Sequence, residues 1–172
     1  MSKGDLQKLA VVLAVGHRPK LLLLDEPVSN FDPIVRERLL RFLTELLTRD
    51  RECTIVISSH VLRDVERVVD RVVCLHKGRL VAHTELDELK EQIVEWRVTA
   101  VRGELQDGFS EPFILHQEVD PKQARLWVRG ARNGALADFR RRHGVEVVPT
   151  VLTLEQIFPL LITEPTEEQG AP

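Results

Sequence analysis

Two adjacent carboxylates at the end of a short apolar run are the residues best placed to do chemistry in this sequence. Leu21–Leu24 is a continuous apolar stretch, and Asp25 and Glu26 follow it directly. A run this short, with prolines on either side, predicts a strand buried on both faces of a parallel sheet. Ligands of open α/β sheets bind beyond the carboxyl ends of the strands. Asp25 and Glu26 are therefore candidates for holding Mg²⁺ and for polarising a water molecule.

Further polar residues follow these two carboxylates. Asp32 lies seven residues after Asp25, and a second apolar strand, Cys53–Ser58, is followed closely by His60. Because neighbouring parallel strands end at one edge of a sheet, Asp25, Glu26 and His60 are predicted to lie along that edge. A neutral His there can hydrogen-bond a phosphate or an attacking water. The grouping favours function over the simpler alternative, in which acidic loop residues end a strand and the His caps or packs.

Helices are predicted before and between these strands. Apolar residues recur at helical spacing over residues 5–15. Asp32 and Pro33 begin a second helix, with Asp as the N-cap and Pro at the first helical position. A third helix is predicted over residues 61–69. Strands that alternate with helices indicate an α/β unit with a largely parallel sheet.

A hairpin and a short helix are predicted next. Residues 71–75 and 79–82 have the composition of strands, and Lys-Gly at 77–78 forms the turn between them. Thr84 and Asp87 resemble a capping box at the start of a short helix.

The pattern changes after residue 94. Alternation of polar and apolar residues over 95–101 and 125–129 predicts half-exposed strands. A helix at 134–142, a strand at 146–151 and a helix at 154–161 complete a small α+β module. The predicted parts are an α/β domain at 1–93, an accessory α+β module at 94–163 and a disordered acidic tail at 164–172.

Composition excludes several classes of protein. The 172 residues carry 24 Lys and Arg against 27 Asp and Glu, a formal charge of −3. This balance argues against a protein that wraps nucleic acid, so no nucleic-acid partner is expected. Two cysteines cannot staple a chain of this length, which favours a reducing compartment over a secreted disulfide scaffold. No apolar run is long enough to span a membrane.

Four segments together resemble the ATP-binding cassette (ABC) ATPases. Leu21–Glu26 is similar to their Walker B strand, Ser29–Pro33 to their D-loop, and His60 to the switch His of their H-loop. Ser2–Gln7 resembles a variant of their signature, Leu-Ser-Gly-Gly-Gln. The order and spacing of these motifs are specific, and they imply that residues 1–93 form part of a P-loop NTPase (RecA-like) parallel sheet with helices.

The resemblance implies a role for each residue at the predicted sheet edge. Asp25 would coordinate Mg²⁺, directly or through water. Glu26 would be the catalytic base, and His60 would contact the γ-phosphate of ATP.

The resemblance also implies contacts across a dimer of ATPase subunits. Ser2 and Gly4 would contact the γ-phosphate of an ATP molecule bound mainly to the other subunit, and Asp32 would lie in the loop that communicates between subunits. The signature departs from its consensus at Lys3, which replaces Gly, and at Asp5, which replaces Gln. A carboxylate beside a triphosphate is unfavourable, but Asp5 suits the start of a helix.

The later part of the chain resembles the same family more loosely. Val72–Glu88 is similar to the hairpin and helix that follow the H-loop in transporter ATPases. Thr150–Phe158 is similar to the closing strand and helix of cassettes that serve ABC-2-type exporters. The implied partners are a membrane permease and a second ABC ATPase subunit, and the implied location is cytoplasmic, peripheral on the inner face of the cell membrane.

The sequence contains no Walker A loop of the form Gly-x-x-x-x-Gly-Lys-Ser/Thr and no Q-loop. The nearest match to Walker A, Gly103–Ser110, has Phe109 in the place of Lys and follows the Walker B strand. We therefore expect a C-terminal portion of a cassette that cannot bind ATP strongly alone. Three alternatives stay open: a non-catalytic half-cassette that pairs with an intact ABC ATPase, a DNA-repair or chromosome-structure ATPase of the same superfamily, and an unfolded remnant.

Overall fold

The computed structural model describes residues 3–49, 52–105, 108–131 and 134–163. Two compact units, Met1–Val69 and Asp70–Pro172, divide the chain. The boundary predicted at residue 93 stays a prediction, and Ser2 and the predicted tail at 164–172 lie outside the described residues. Among those described, no helix combines the length and apolar character needed to cross a bilayer.

The first unit contains two strands that pair in parallel. Its elements are α1 (Lys3–Gly16), β1 (Leu21–Asp25), α2 (Pro33–Arg49), β2 (Thr54–Ser58) and α3 (Leu62–Val65). The register places Leu21 opposite Thr54 and Asp25 opposite Ser58. The carboxyl ends of both strands therefore meet at one edge, and the side chains that follow them are brought together there.

Only one face of this strand pair is covered by the described helices. Val11 from α1 and Leu43 from α2 pack with the inward residues Leu22 and Leu24. On the opposite face Leu23 is 67% exposed, and Leu21 and Val56 are also exposed. The prediction that these strands are buried on both faces is therefore wrong for the described residues.

Helix α2 begins as the sequence predicts. Oδ1 of Asp32 accepts hydrogen bonds of 3.0 Å from the backbone N–H groups of Ile34 and Val35, and Pro33 is the first helical residue. These bonds satisfy donors that have no partner inside the helix.

Helix α3 is shorter than predicted. It covers Leu62–Val65, one turn instead of the predicted 61–69. Three of the predicted helical residues outside it are Val61, Val68 and Val69, whose branched side chains lose rotamer freedom in a helix. The chain continues past Val65 in turns and bends.

The second unit combines a hairpin, a four-stranded sheet and three helices. Its elements are β3 (Arg71–His76), β4 (Arg79–Glu85), α4 (Leu86–Gln92), β5 (Ile93–Ala100), β6 (Ile114–Val119), β7 (Gln123–Arg129), α5 (Ala135–His143), β8 (Val145–Val151) and α6 (Leu154–Ile162). β3 and β4 are antiparallel, and the antiparallel sheet has the order β6-β7-β5-β8. The predicted fold class, α/β with part of a P-loop NTPase (RecA-like) parallel sheet and helices followed by a small α+β module, is confirmed. β3 and β4 form the predicted hairpin.

Two local features of the second unit bear on the sequence predictions. Lys77 and Gly78 both have positive φ, 48° and 74°, which suits the tight turn predicted between β3 and β4. The predicted capping box at Thr84 and Asp87 is wrong. The N-cap of α4 is Glu85, which makes no side-chain capping bond. The Thr84 hydroxyl donates to the Glu88 carboxylate.

The core of the second unit lies between the four-stranded sheet and α5. Trp96, Leu126 and Val147 from three strands pack with Phe139 of α5. The Trp96 and Phe139 ring centroids are 5.4 Å apart in an edge contact, an arrangement that aromatic pairs favour. Trp96 is thus in the core of this module.

A buried carboxylate lies on β5 between two arginines. Glu95 is 1% exposed; its Oε2 lies 2.9 Å from Nη2 of Arg125, and its Oε1 lies 2.9 Å from Nε of Arg97. The hydrogen bond from Arg125, with help from Arg97, lowers the pKa of Glu95 against the opposing effect of burial. Arg125 also lies over the Trp127 ring, 4.6 Å from its centroid.

Arg125→Gln is expected to destabilise the second unit by about 2 kcal/mol at pH 7, because it leaves a buried carboxylate with one partner in place of two. Since the folded pKa of Glu95 is lowered, its contribution is present above the unfolded pKa of about 4.3 and is lost as pH falls through the folded value. Urea unfolding, followed by the fluorescence of Trp96 and Trp127, should show a free energy of unfolding that is lower than the parent's at pH 7. Near pH 3 the difference between variant and parent should be smaller. Arg79→Gln, an exposed arginine, is the control. An equal deficit at both pH values would contradict the assignment.

Candidate functional site

The site is built around an unusual backbone conformation at Glu26. Its φ is +46°, in the left-handed region, which costs a non-glycine residue about 1–3 kcal/mol and persists only where neighbours hold it. The Glu26 N–H donates to both the carbonyl and the hydroxyl oxygen of Ser58, at 3.2 and 3.0 Å. Its carbonyl accepts from Nε2 of Gln7 at 2.8 Å and from the Ser29 hydroxyl at 3.0 Å. Three separate segments thus hold this one residue.

The structure brings the three predicted residues of the sheet edge together. Oε1 of Glu26 lies 2.8 Å from Nδ1 of His60. The Ser58 hydroxyl donates to Oδ1 of Asp25 at 2.5 Å, so Ser58 links Asp25 to the backbone of Glu26. These contacts follow directly from the parallel register that places Asp25 opposite Ser58.

The Glu26 carboxylate is partly desolvated, and only one of its two oxygens has a partner among the described residues. Its Oε2 is buried and has no hydrogen-bond partner among the described residues. A buried acceptor without a partner is costly, so this oxygen is available to a donor such as a water molecule. Because an ionised carboxylate only accepts, the short contact requires the proton of His60 on Nδ1. Nε2 of His60, a residue whose side chain is 68% exposed, is then free to face a ligand.

The residues at this edge can supply part of a magnesium site. Mg²⁺ in nucleotide sites takes one or two carboxylates and completes its coordination with water and phosphate oxygens. Asp25 is exposed and has one oxygen engaged by Ser58. Over the ranges that the structure describes, no cluster of three or more His, Cys, Asp or Glu side chains is placed to hold a metal. The donors present fit a cation that a phosphate ligand brings with it, and not a cation held by protein alone.

The other predicted residues, Gly4 and Asp32, line a separate pocket of about 350 Å³. Two lysines, Lys3 and Lys8, also line it. A Cβ on Gly4 would meet the Phe31 ring at 3.5 Å, so the start of α1 packs closely on the loop before α2. Lys8 lies over the same ring, with Nζ 5.7 Å from its centroid. The lysines make this pocket suited to an anion.

Three residues at these sites are missing from the sequence-based set. Gln7 follows Gly4 by three positions, one helical turn, and Lys8 follows by four; this spacing could have indicated that they share a face with it. Ser58 is the last residue of β2, so its position beside Asp25 could have been found only with the correct register. Gln7 also accepts a hydrogen bond from the Asn30 side chain at 3.1 Å, which ties α1 to the loop as well as to Glu26.

Gln7→Ala is expected to loosen the backbone at Glu26, because it removes a part-buried hydrogen bond worth about 1 kcal/mol. Amide exchange of the Glu26 N–H, followed by nuclear magnetic resonance, should become faster by about fivefold. Gln92→Ala is the matched control, since it removes an exposed side-chain contact to Glu88 in the other unit. Unchanged protection of Glu26 in Gln7→Ala would show that Gln7 does not hold this conformation.

Comparisons with known proteins agree with the motifs. A family described as "AAA domain, putative AbiEii toxin, Type IV TA system" matches residues 1–61. The bacitracin transport ATP-binding protein BcrA of Bacillus licheniformis is 41% identical over 173 residues, which cover 94% of this chain and 55% of that protein. The Nod factor export ATP-binding protein I of Rhizobium etli is 26% identical and matches 92% of this chain and 50% of its own length.

A solved structure described as an ATP-binding subunit of an ABC transporter superposes with a TM-score of 0.48 and 35% identity, over 53% of this chain and 37% of that one. The chain spans about half the length of the two curated relatives described above. The predicted resemblance is confirmed: the chain is similar in sequence to the ATP-binding proteins of ABC transporters.

Proposed function

We propose that this chain carries the hydrolytic edge of an ABC transporter ATP-binding subunit, whose ATP hydrolysis drives transport through a separate permease. The observation that carries the proposal is the 2.8 Å contact between Glu26 and His60, beside Asp25. A carboxylate with one unsatisfied buried oxygen is placed to accept a proton from water, and a neighbouring His is placed to meet a phosphate.

Each residue of the edge has a distinct part in this proposal. Glu26 accepts the proton of the attacking water through its free oxygen, while its other oxygen holds His60 in one tautomer. With Nδ1–H directed at Glu26, His60 presents Nε2 toward the γ-phosphate, where a second ring proton on Nε2 would be the hydrogen-bond donor to the charge that develops during transfer. Asp25 would hold Mg²⁺, which supplies charge neutralisation on the phosphate oxygens when bound.

The pocket lined by Gly4 and Asp32 supports a proposed contact with a nucleotide that another subunit holds. Their pocket, with Lys3 and Lys8 on its wall, is separate from the residues of the hydrolytic edge. We propose that it meets the phosphates of ATP held mainly by a second ABC ATPase subunit. Ser2 would join it, although Ser2 lies outside the described residues.

The finer setting follows from the relatives. One is named for bacitracin transport and another for Nod factor export, and an export role in partnership with a membrane permease is proposed here on that likeness. The corresponding location is the cytoplasmic face of the cell membrane.

The lysine-lined pocket also favours a second candidate function, a non-catalytic module that pairs with an intact ATPase subunit. In that case Gly4 and Asp32 would act, and Glu26 would have no role in turnover. The two candidates differ in whether Glu26 is needed for hydrolysis.

The chain alone is expected to bind Mg-ATP with a dissociation constant weaker than about 1 mM. The reason is that a phosphate-binding loop supplies most of the contacts to the triphosphate, and the sequence has none. Isothermal titration of the purified chain with Mg-ATP measures this directly. A dissociation constant of about 10 μM would contradict the expectation.

Glu26→Gln is expected to lower ATP hydrolysis by at least about 100-fold, because it removes the base and preserves shape. The assay uses a chimera of the Bacillus licheniformis relative in which residues 3–69 replace the matching segment. Glu45→Gln, an exposed position on α2, is the matched control. Turnover of the Glu26→Gln chimera within about twofold of its parent would reject Glu26 as the base and favour the non-catalytic module.

A further inference from the structure

A groove of about 500 Å³ lies between α2 and residues 63–68. Its lining holds two more cations than anions, although the whole chain carries a formal charge of −3. The charged residues that line it are Arg36, Glu37, Arg41, Arg63, Asp64 and Arg67. We call this feature the arginine groove. Asp25, Glu26 and His60 do not line it.

Two arginines of the groove have no counter-charge among the described residues. Arg36 pairs with Asp64 at 2.5 Å, and Arg41 pairs with Glu37 at 3.1 Å. Both acids of the groove are thereby used. Arg63 and Arg67 make no ion pair or hydrogen bond with the rest of the described chain. Both arginines line the groove, so an anion bound there would be stabilised by two cations that no described acid neutralises.

The groove has an apolar floor as well as cationic walls. Leu40 is buried at its base, and Val68 is partly buried beside it. Arg36, which also lines the groove, has a buried Nε with no hydrogen-bond partner among the described residues. A ligand that fits must therefore offer both negative charge and apolar surface.

The shape favours a polypeptide over a small anion. The α2 wall extends from Pro33 to Thr44, a rise of about 16 Å along a helix. The charged residues of the groove belong both to α2 and to residues 63–67, so they lie along the two sides of the groove. An extended segment of about five residues covers that length and alternates its side chains between two sides.

We propose that the arginine groove binds an acidic segment of a partner protein, with carboxylates on Arg63 and Arg67 and an apolar side chain over Leu40. Electrostatic complementarity of this kind selects a partner and speeds its association. The interaction goes beyond the proposed hydrolytic function and does not require ATP.

The test uses the full chain and a fluorescein-labelled 12-residue peptide of alternating Leu and Glu. Fluorescence anisotropy is expected to give a dissociation constant of about 10 μM, which weakens as salt rises from about 50 to about 200 mM. The double variant Arg63→Gln/Arg67→Gln should bind at least about tenfold more weakly, because it removes both unpaired charges.

Arg79→Gln/Arg102→Gln is the matched control, since it removes the same charge from two exposed positions in the other unit. It should keep the affinity of the parent within about twofold. A peptide with Lys in place of Glu should not bind the parent chain, a result that does not depend on how any variant folds. Equal losses in the two double variants, or binding of the Lys peptide, would overturn the proposal. Inorganic phosphate and phosphatidylserine vesicles are tested as competitors. If either one displaces the Glu peptide at a lower concentration than unlabelled peptide does, the proposal is overturned.

Discussion

The backbone of Glu26 passes through a left-handed conformation that its own side chain disfavours, and the rest of the first unit is arranged to hold it. Gln7 reaches it from α1, Ser58 from the end of β2, and Ser29 from the loop that follows. Because each contact comes from a different segment, the position of Glu26 depends on the placement of all three. In this position the Glu26 carboxylate contacts Nδ1 of His60 at 2.8 Å. A helix, a strand and a loop are thus linked by hydrogen bonds to the backbone of one residue.

The two units differ in how their sheets are covered. In the second unit, the four-stranded sheet carries an aromatic core around Trp96 and Phe139, and its buried carboxylate, Glu95, is neutralised by two arginines. In the first unit, the strand pair is covered on one side and leaves Leu21, Leu23 and Val56 exposed on the other. Exposed apolar surface next to open strand edges favours contact with other polypeptide. This exposed face of the strand pair is therefore a surface that can contact other polypeptide.

Much of the first unit could be predicted from local patterns. The helix over 5–15, the strand at Leu21–Leu24 and the cap at Asp32 rest on spacing and capping chemistry, which operate within a few residues. The proximity of Asp25, Glu26 and His60 follows from one further rule, that parallel strands end at a common edge. These are the parts of the fold and the site in which local sequence and topology agree.

The rest could not be predicted because it depends on contacts made elsewhere in the chain. Burial of β1 on one face only is set by which helices are present, and not by the apolar run itself. β6 contains Gln117, whose side chain hydrogen-bonds the backbone of Phe109 in the preceding loop. The residue types along β6 therefore depend on this loop as well as on the sheet. Gln7 donates to the carbonyl of Glu26, nineteen residues away in the sequence. Local periodicity cannot predict a contact between residues so far apart. The helix predicted at 61–69 is only Leu62–Val65 in the structure, because apolar spacing alone does not determine where a helix ends, and valine lowers helix propensity slightly.

The left-handed φ of Glu26 sets stability against chemistry at a single position. Glycine or asparagine would adopt this backbone at lower cost, and neither could take a proton from water as a carboxylate does. A chain selected only for stability would therefore drift away from an acidic residue here, and one under selection for turnover would retain it despite the strain. The identity of this residue in any relative of the same fold thus reports which of the two pressures has acted on it.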